Sequence, residues 1–281
     1  MIHHTMQQEN STQPYVHGRS EKEAERLLDQ AGTLTTILHH DTYYPPGSRV
    51  LEAGCGVGAQ TVILGNHSPG ALITSVEISP DSIRKARDTI RPLEMNTINL
   101  INGDIFDLPF KNASFDHIFV CFVLEHLRDP LAALQKLRNL LQPGGTITVI
   151  EGDHGSTFFH PDSVDAQETI RCLVRLQAEG GGDACIGRRL YPLLKNAGFS
   201  DVHVTDRMVY VDASRPDLVE GFTKKTFIAM IEGAKEEALA KGMITETNWE
   251  RGIIDLNRTT ESDGTFSYTF FKATGLNIIQ L

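Results

Sequence analysis

The chain has 281 residues, of which 22% are charged and 40% hydrophobic, and its formal net charge at pH 7 is −10. This acidic balance disfavours nucleic acids and anionic membranes as partners, because either needs a cationic surface. The four cysteines have no C-x-x-C spacing, and the polar start of the chain lacks the apolar core of a signal peptide. We therefore expect a cytoplasmic globular protein of one or two domains.

An amphipathic helix is predicted near the beginning of the chain. Ser20 and Glu23 have the spacing of a capping box, and apolar side chains then recur at helical spacing. The prolines of "YYPPG" (43–47) end this helix, because proline cannot continue one. We expect residues 1–45 to form an N-terminal segment with a lid helix, and residues 46–281 to form the main domain.

The pattern then alternates between strands and helices. Five strands are predicted, at 49–53, 71–78, 98–103, 117–124 and 146–152. Helices are predicted between them, and Ser79-Pro80 supplies one of these with a capping hydroxyl and a first-turn proline. Such alternation implies a parallel sheet with helices on both faces.

The pattern changes after Gly152. A polar loop is predicted first, followed by helices at 163–178 and 188–198, a strand at 201–211, further helices at 215–262 and a last strand at 264–275. We expect helical caps over the ligand edge of the sheet, inserted at about 154–186 and 214–262.

The stretch "VLEAGCGVGAQT" (50–61) is an apolar strand that runs into three glycines. Its G-x-G-x-x-A pattern from Gly54 also fits a dinucleotide-binding turn, with Glu77 as the ribose-binding acid, and by itself this fingerprint does not decide the ligand. Glu52 is placed to meet a cationic amine, and Gly58 adds a third glycine in phase, which suits a smaller ligand. A second acid follows the third strand in "INGDIFDLPF".

This series, with "FDHIFVCFVLEHL" and "LQPGGTITVIEGD" after it, resembles the class I S-adenosylmethionine-dependent methyltransferases over residues 48–152. It is most similar to the branch that contains the ubiquinone and menaquinone biosynthesis enzymes. The resemblance implies a Rossmann-like α/β fold, with a doubly wound, mostly parallel seven-stranded sheet. It also implies that the cofactor is S-adenosyl-L-methionine.

The resemblance assigns roles to the first motif, "EAGCGVG". Gly54, Gly56 and Gly58 would let the backbone approach the methionine portion of the cofactor. Glu52 would contact the amino-acid end, directly or through water. Tyr15 would correspond to an N-terminal aromatic residue that covers the methionine end.

The same resemblance assigns the adenosine end. Glu77 matches the acid that accepts hydrogen bonds from both ribose hydroxyls, which a carboxylate can do, and Ile78 would pack on the adenine. Asp104 matches the acid that accepts from the exocyclic amine of the adenine, with Ile105 beside it. Cys121, at the end of the fourth strand, falls where the backbone closes over the cofactor.

The candidate for chemistry on the acceptor is His154, as a general base or as a substrate contact, with Asp153 as the residue that orients it. It follows the fifth strand, where open α/β sheets hold ligands. A base is needed only when the nucleophile arrives protonated, since alignment of the reactants does most of the catalysis. His126 is a weaker candidate, and neither His154–His160 nor Glu125–His126 has the spacing of a metal site.

The aromatic residues of the predicted caps favour a small-molecule acceptor over a protein or nucleic acid. The prediction is therefore methyl transfer from S-adenosyl-L-methionine to a small molecule. Two alternatives stay open on the same fold: an enzyme that binds this cofactor but catalyses cyclisation or rearrangement, and a noncatalytic cofactor-binding protein. The oligomeric state and the acceptor atom are not indicated.

Overall fold

The computed structural model describes residues 21–278, with the side chains of residues 21, 22, 24 and 25 excepted. Tyr15 and Ser20 lie outside these residues, as do all of residues 1–20 of the predicted N-terminal segment. Among the described residues, no helix is both long enough and apolar enough to span a membrane.

Seven strands form one sheet in the order β3-β2-β1-β4-β5-β7-β6. Their bounds are β1 Arg49–Ala53, β2 Leu72–Glu77, β3 Ile98–Asn102, β4 Phe115–Cys121, β5 Leu141–His160, β6 Ser200–Val211 and β7 Thr265–Leu276. The first five strands pair in parallel, whereas β7 lies antiparallel between β5 and β6. The predicted doubly wound seven-stranded sheet is confirmed, and it is a mixed sheet.

Ten α-helices are described. They are α1 Glu21–His39, α2 Ala59–His67, α3 Pro80–Ile90, α4 Pro130–Leu140, α5 Val164–Glu179, α6 Leu190–Asn196, α7 Pro216–Leu218, α8 Ala229–Gly233, α9 Lys235–Ala240 and α10 Glu246–Arg258. Helix α3 starts as predicted, because Ser79 is its N-cap and Pro80 opens its first turn. A π-helix, Val219–Ile228, joins α7 to α8.

Both faces of the sheet are covered, as the apolar runs of β4 and β5 require. Along β4, Ile118 and Val120 belong to the core under α4 and α6, whereas Phe119 and Cys121 belong to the core that contains α1, α5 and the caps. This alternation follows from the two-residue period of a strand. Helix α1 lies on α2 and on the π-helix, and the predicted division of the chain at residue 45 stays a prediction.

The polar loop predicted directly after Gly152 is wrong, because β5 continues to His160. The continuation is held by β7, whose Ser267 and Phe266 pair with Phe158 and Phe159 beyond a bulge. An antiparallel partner supplied from more than a hundred residues away extends a segment whose own sequence is polar. As a result, His154 lies in a strand.

Candidate active site

A cavity of about 480 Å³ opens at the carboxyl ends of the parallel strands. Parallel sheets of this kind hold ligands at that edge. The residues after β1, β2, β3 and β4 all contribute, through Gly54, Glu77, Asp104 and Phe122. The cavity continues past β5 into the space under the cap helices, where His154 lines it.

The three glycines after β1 occupy different surroundings. A Cβ at Gly54 would lie 2.4 Å from Val123 Cγ2, so only glycine fits there. Gly56 has φ +53 and nothing within 4 Å of its Cβ position, because that position faces the cavity. A Cβ at Gly58 would lie 3.2 Å from Ala86 Cα, and Gly58 does not line the cavity. Gly54 and Gly56 therefore line the cavity, whereas Gly58 packs α2 against α3, and the close approach of all three glycines to a ligand stays a prediction.

Glu77 ends β2 and faces the cavity beside the glycine turn. Its Oε2 accepts a hydrogen bond of 3.1 Å from the Gly56 amide, and its Oε1 accepts one of 2.9 Å from the Ser79 amide. Each carboxylate oxygen keeps a further acceptor site. Ile78, which is 46% exposed, lines the cavity next to it.

Asp104 and Ile105 line the same end of the cavity. Asp104 Oδ1 accepts from the Phe106 amide at 2.9 Å, and among the described residues no group donates to Oδ2. The sequence analysis missed Asn102, the last residue of β3. Its side-chain amide donates to the carbonyl oxygens of Glu77 and Ile78 at 2.8 and 2.9 Å, and so links the end of β3 to the end of β2.

Glu52 does not line the cavity, although the resemblance placed it against the cofactor. It is 2% exposed, and its Oε2 accepts hydrogen bonds from Thr61 and Ser75 at 2.7 and 2.6 Å. Burial raises the pKa of this carboxyl to about 7. The structure thus places Glu52 beneath the glycine turn, where it joins β1, β2 and α2.

Cys121, which the resemblance assigns to the cofactor, lines the cavity at the end of β4. Burial raises the pKa of its thiol well above the ordinary range, and the nearby carboxylates add to this effect. The side chain is therefore an uncharged thiol. No group of three or more His, Cys, Asp or Glu among the described residues could hold a metal ion.

His154 is 5% exposed and lines the cavity. Its Nδ1 lies 2.9 Å from Tyr268 Oη on β7, and its Nε2 is buried without a hydrogen-bond partner. Burial lowers the pKa of the imidazole. The expectation that Asp153 orients this ring is wrong, because the Asp153 carboxylate binds Arg188 at 2.6 and 2.7 Å and the Gly155 amide at 3.0 Å.

Aromatic side chains and a methionine enclose the space around His154, which we call the apolar chamber. Its members are Phe122, Phe222, Phe227, Met230, Tyr268 and Phe270. The rings are in contact, with centroids 4.6 Å apart for Tyr268–Phe270 and 5.7 Å for Phe227–Tyr268. The π-helix matters here because its wider turn brings Phe222 and Phe227 to the same face, against β7.

Two buried acids near the chamber were missed by the sequence analysis. Glu151 is fully buried in β5, and its Oε1 accepts from the Val123 and Leu124 amides at 2.9 and 2.7 Å. Glu125 lines the cavity, and its Oε2 accepts from Gln177 at 3.0 Å. Burial, and then the charge of Glu125, raises the pKa of Glu151 well above its usual range. Glu151 could have been found from the sequence, because it is an acid inside the apolar run "TITVIEG".

Comparisons with known proteins agree with this geometry. Residues 51–149 match the family model of the methyltransferase domain. An uncharacterized methyltransferase of Schizosaccharomyces pombe is 31% identical over 49% of this chain and 52% of its own length. Methyltransferase Str2 of Strobilurus tenacellus is 25% identical over 80% of this chain and 81% of its own length. A demethylmenaquinone methyltransferase of Staphylococcus haemolyticus is 31% identical over 40% and 46%.

Solved structures share the fold. Phosphoethanolamine N-methyltransferase 2 of Haemonchus contortus, in complex with S-adenosyl-L-methionine, superposes with a TM-score of 0.57 at 16% identity, over 96% of this chain and 59% of that one. The YcgJ protein of Bacillus subtilis gives a TM-score of 0.57 at 14% identity, over 89% and 99%. The [4+2]-cyclase SpnF gives 0.52 at 17% identity, over 95% and 86%.

The sheet order, the glycine turn and the acids after β2 and β3 are similar to those of the class I S-adenosylmethionine-dependent methyltransferases, which supports the predicted resemblance. Residues 51–149 belong to the methyltransferase domain family, and the predicted likeness to the menaquinone branch is confirmed. The predicted cofactor, S-adenosyl-L-methionine, is confirmed as the cofactor of this family. The chain spans about half the length of most of the curated relatives it matches, including 52%, 54% and 46% of three relatives that are 31% identical.

Proposed function

We propose that this chain transfers a methyl group from S-adenosyl-L-methionine to a small-molecule acceptor. One observation carries the proposal: a single cavity reaches from the glycine turn and Glu77 to the apolar chamber under the caps. A volume of about 480 Å³ is in the range of small-molecule sites. Such a cavity suits two small reactants that meet end to end.

The residues at the sheet edge fit the cofactor. Gly56 leaves open space where a side chain would otherwise stand. Glu77 keeps acceptor sites for two hydroxyl groups, and Asp104 Oδ2 is available for an amine. Ile78 and Ile105 supply apolar surface for a base. When bound, the cofactor supplies an activated methyl group on a sulfonium.

Three of the assigned cofactor positions are not among the residues that line the cavity. Glu52 and Gly58 lie outside the cavity, and we propose that they act by holding the glycine turn in place rather than by contact. Tyr15 lies outside the described residues, so its role over the methionine end stays a prediction.

The chain's own contribution to the reaction is orientation and exclusion of water. Phe222, Phe227 and Tyr268 are almost fully buried, so the chamber is a dry environment in which two reactants are held in line. We propose that His154 contacts the acceptor. Its buried, unpartnered Nε2 at the cavity wall supports this role, because a buried polar atom without a partner is costly unless a ligand satisfies it.

An incubation with methyl-labelled cofactor tests the proposal. A metabolite extract is treated with the protein and then separated into small-molecule and macromolecular fractions. We expect the label in a small molecule, and we expect its loss in Glu77→Gln but not in Glu236→Gln, which changes an exposed acid on α9. Label in protein or nucleic acid would contradict the acceptor class. A rearranged metabolite without label would identify the cyclase alternative instead.

A further inference from the structure

The pair formed by His154 and Tyr268 raises the question of which atom donates in its hydrogen bond. The two polar atoms are 2.9 Å apart, and both side chains are buried. Burial lowers the pKa of the imidazole and raises that of the phenol well above its usual range, so both groups are neutral. A neutral imidazole carries a single hydrogen, on Nδ1 or on Nε2.

The surroundings of the phenol oxygen decide between these two tautomers. A backbone hydrogen bond from Asp153 lowers the pKa of Tyr268, but less than burial raises it. In the part of the chain described, His154 Nδ1 is the one acceptor for the phenol's own hydrogen. If Nδ1 carried a hydrogen, the phenol O–H and Nε2 would both lack partners. If the phenol donates to Nδ1, only Nε2–H lacks one.

Each buried polar group left without a partner is unfavourable. The tautomer with one such group is therefore preferred over the tautomer with two, by a ratio of roughly ten or more. In the preferred tautomer Nε2 carries the hydrogen at the cavity wall. His154 then cannot take a proton from the acceptor through Nε2, and of the two roles predicted from the sequence it fills that of the substrate contact.

We propose that His154 presents Nε2–H as a hydrogen-bond donor, and that the acceptor molecule is a largely apolar compound with a carbonyl oxygen that accepts this bond. The apolar chamber requires a largely apolar compound, and the hydrogen on Nε2 requires an oxygen that accepts a hydrogen bond. The inference rests on the proposed function, and Tyr268 is its positioning residue.

Nuclear magnetic resonance of the ring nitrogens tests the tautomer in the whole chain. The histidines are isotope-labelled, and the His154 signals are assigned by their loss in His154→Gln. We expect the neutral ring with hydrogen on Nε2, and in Tyr268→Phe a shift of the population toward Nδ1–H. A wild-type ring with hydrogen on Nδ1, or a tautomer ratio unchanged by Tyr268→Phe, would overturn the proposal. A merely structural tyrosine would not move this ratio.

Matched ligands test the specificity. Acetylnaphthalene, isopropenylnaphthalene (the same shape with C=CH₂ in place of C=O) and naphthol are titrated calorimetrically with S-adenosylhomocysteine present. We expect the ketone to bind roughly three- to ten-fold more tightly than the alkene, and Tyr268→Phe to reduce this ratio. The proposal would be overturned if the ketone and the alkene bind equally or if neither binds. A preference for naphthol alone would also overturn the proposal. Failure of S-adenosylhomocysteine to bind would instead refute the proposed function. The tautomer measured by nuclear magnetic resonance does not depend on that outcome.

Discussion

Replacement of Glu77 should weaken cofactor binding by an amount that the structure sets. Each of its carboxylate oxygens already accepts one backbone amide, from Gly56 and from Ser79. A carboxylate has about four acceptor sites, so about two remain for a pair of ribose hydroxyls. Hydrogen bonds to a charged group contribute roughly 1.5–3 kcal/mol each.

Glu77→Gln keeps the shape, removes the charge and leaves one acceptor oxygen. It should therefore lose one such bond and weaken S-adenosyl-L-methionine binding by roughly ten- to a hundred-fold. Glu77→Ala should weaken binding at least as much, because it also leaves the Gly56 and Ser79 amides without their acceptor. Isothermal titration calorimetry measures both variants, with Glu236→Gln as the matched control.

The refuting result is a dissociation constant for Glu77→Gln equal to that of the wild type, in a protein whose melting temperature is unchanged. Such a result would remove Glu77 from the cofactor site. A lowered melting temperature with normal affinity would instead show that Glu77 serves the glycine turn alone.

Three further predictions concern the surroundings of the cavity. Gly56→Val should abolish cofactor binding while the fold is retained, because a side chain would fill open cavity space and would also be strained at φ +53; normal affinity in the same titration would contradict this. Burial raises the pKa of Glu52 from the ordinary value of 4.5 to about 7 in the fold. The folded state therefore binds this proton more tightly, and stability should fall as pH rises from about 4.5 to about 7. Glu52→Gln, which resembles the protonated acid, should remove up to about 3 kcal/mol of this fall, measured as the difference in urea unfolding between about pH 5 and about pH 8; an unchanged difference would refute it. Deletion of residues 1–19, which lie outside the described residues, should raise the Michaelis constant for the cofactor if they form a lid, and an unchanged constant would remove that role.

The cofactor edge could be predicted because its determinants are local in sequence. The glycines after β1, the acid that ends β2 and the Ser79-Pro80 start of α3 each follow from residues within a few positions. Their meeting at one edge then follows from the parallel order of the strands. For these parts, pattern and resemblance were sufficient.

The acceptor side could not be predicted because it depends on pairing between distant segments. His154 is oriented by Tyr268, which lies 114 positions later on β7, and the same strand extends β5 beyond Gly152. Asp153 precedes His154 in sequence, yet in a strand successive side chains point to opposite faces, and it binds Arg188 instead. The position of Glu52 outside the cavity also depends on residues from other elements, because the hydroxyls of Thr61 and Ser75 donate to its carboxylate beneath the glycine turn.

If the cavity joins a methyl donor to a small acceptor, the two are consumed in equal amounts, so the stoichiometry of the reaction is the most direct test of the proposed function. Mass spectrometry follows the labelled acceptor identified from the extract together with the cofactor in one reaction mixture. We expect one S-adenosylhomocysteine to form for each methylated small molecule. Consumption of the small molecule while S-adenosyl-L-methionine is recovered unchanged would contradict it.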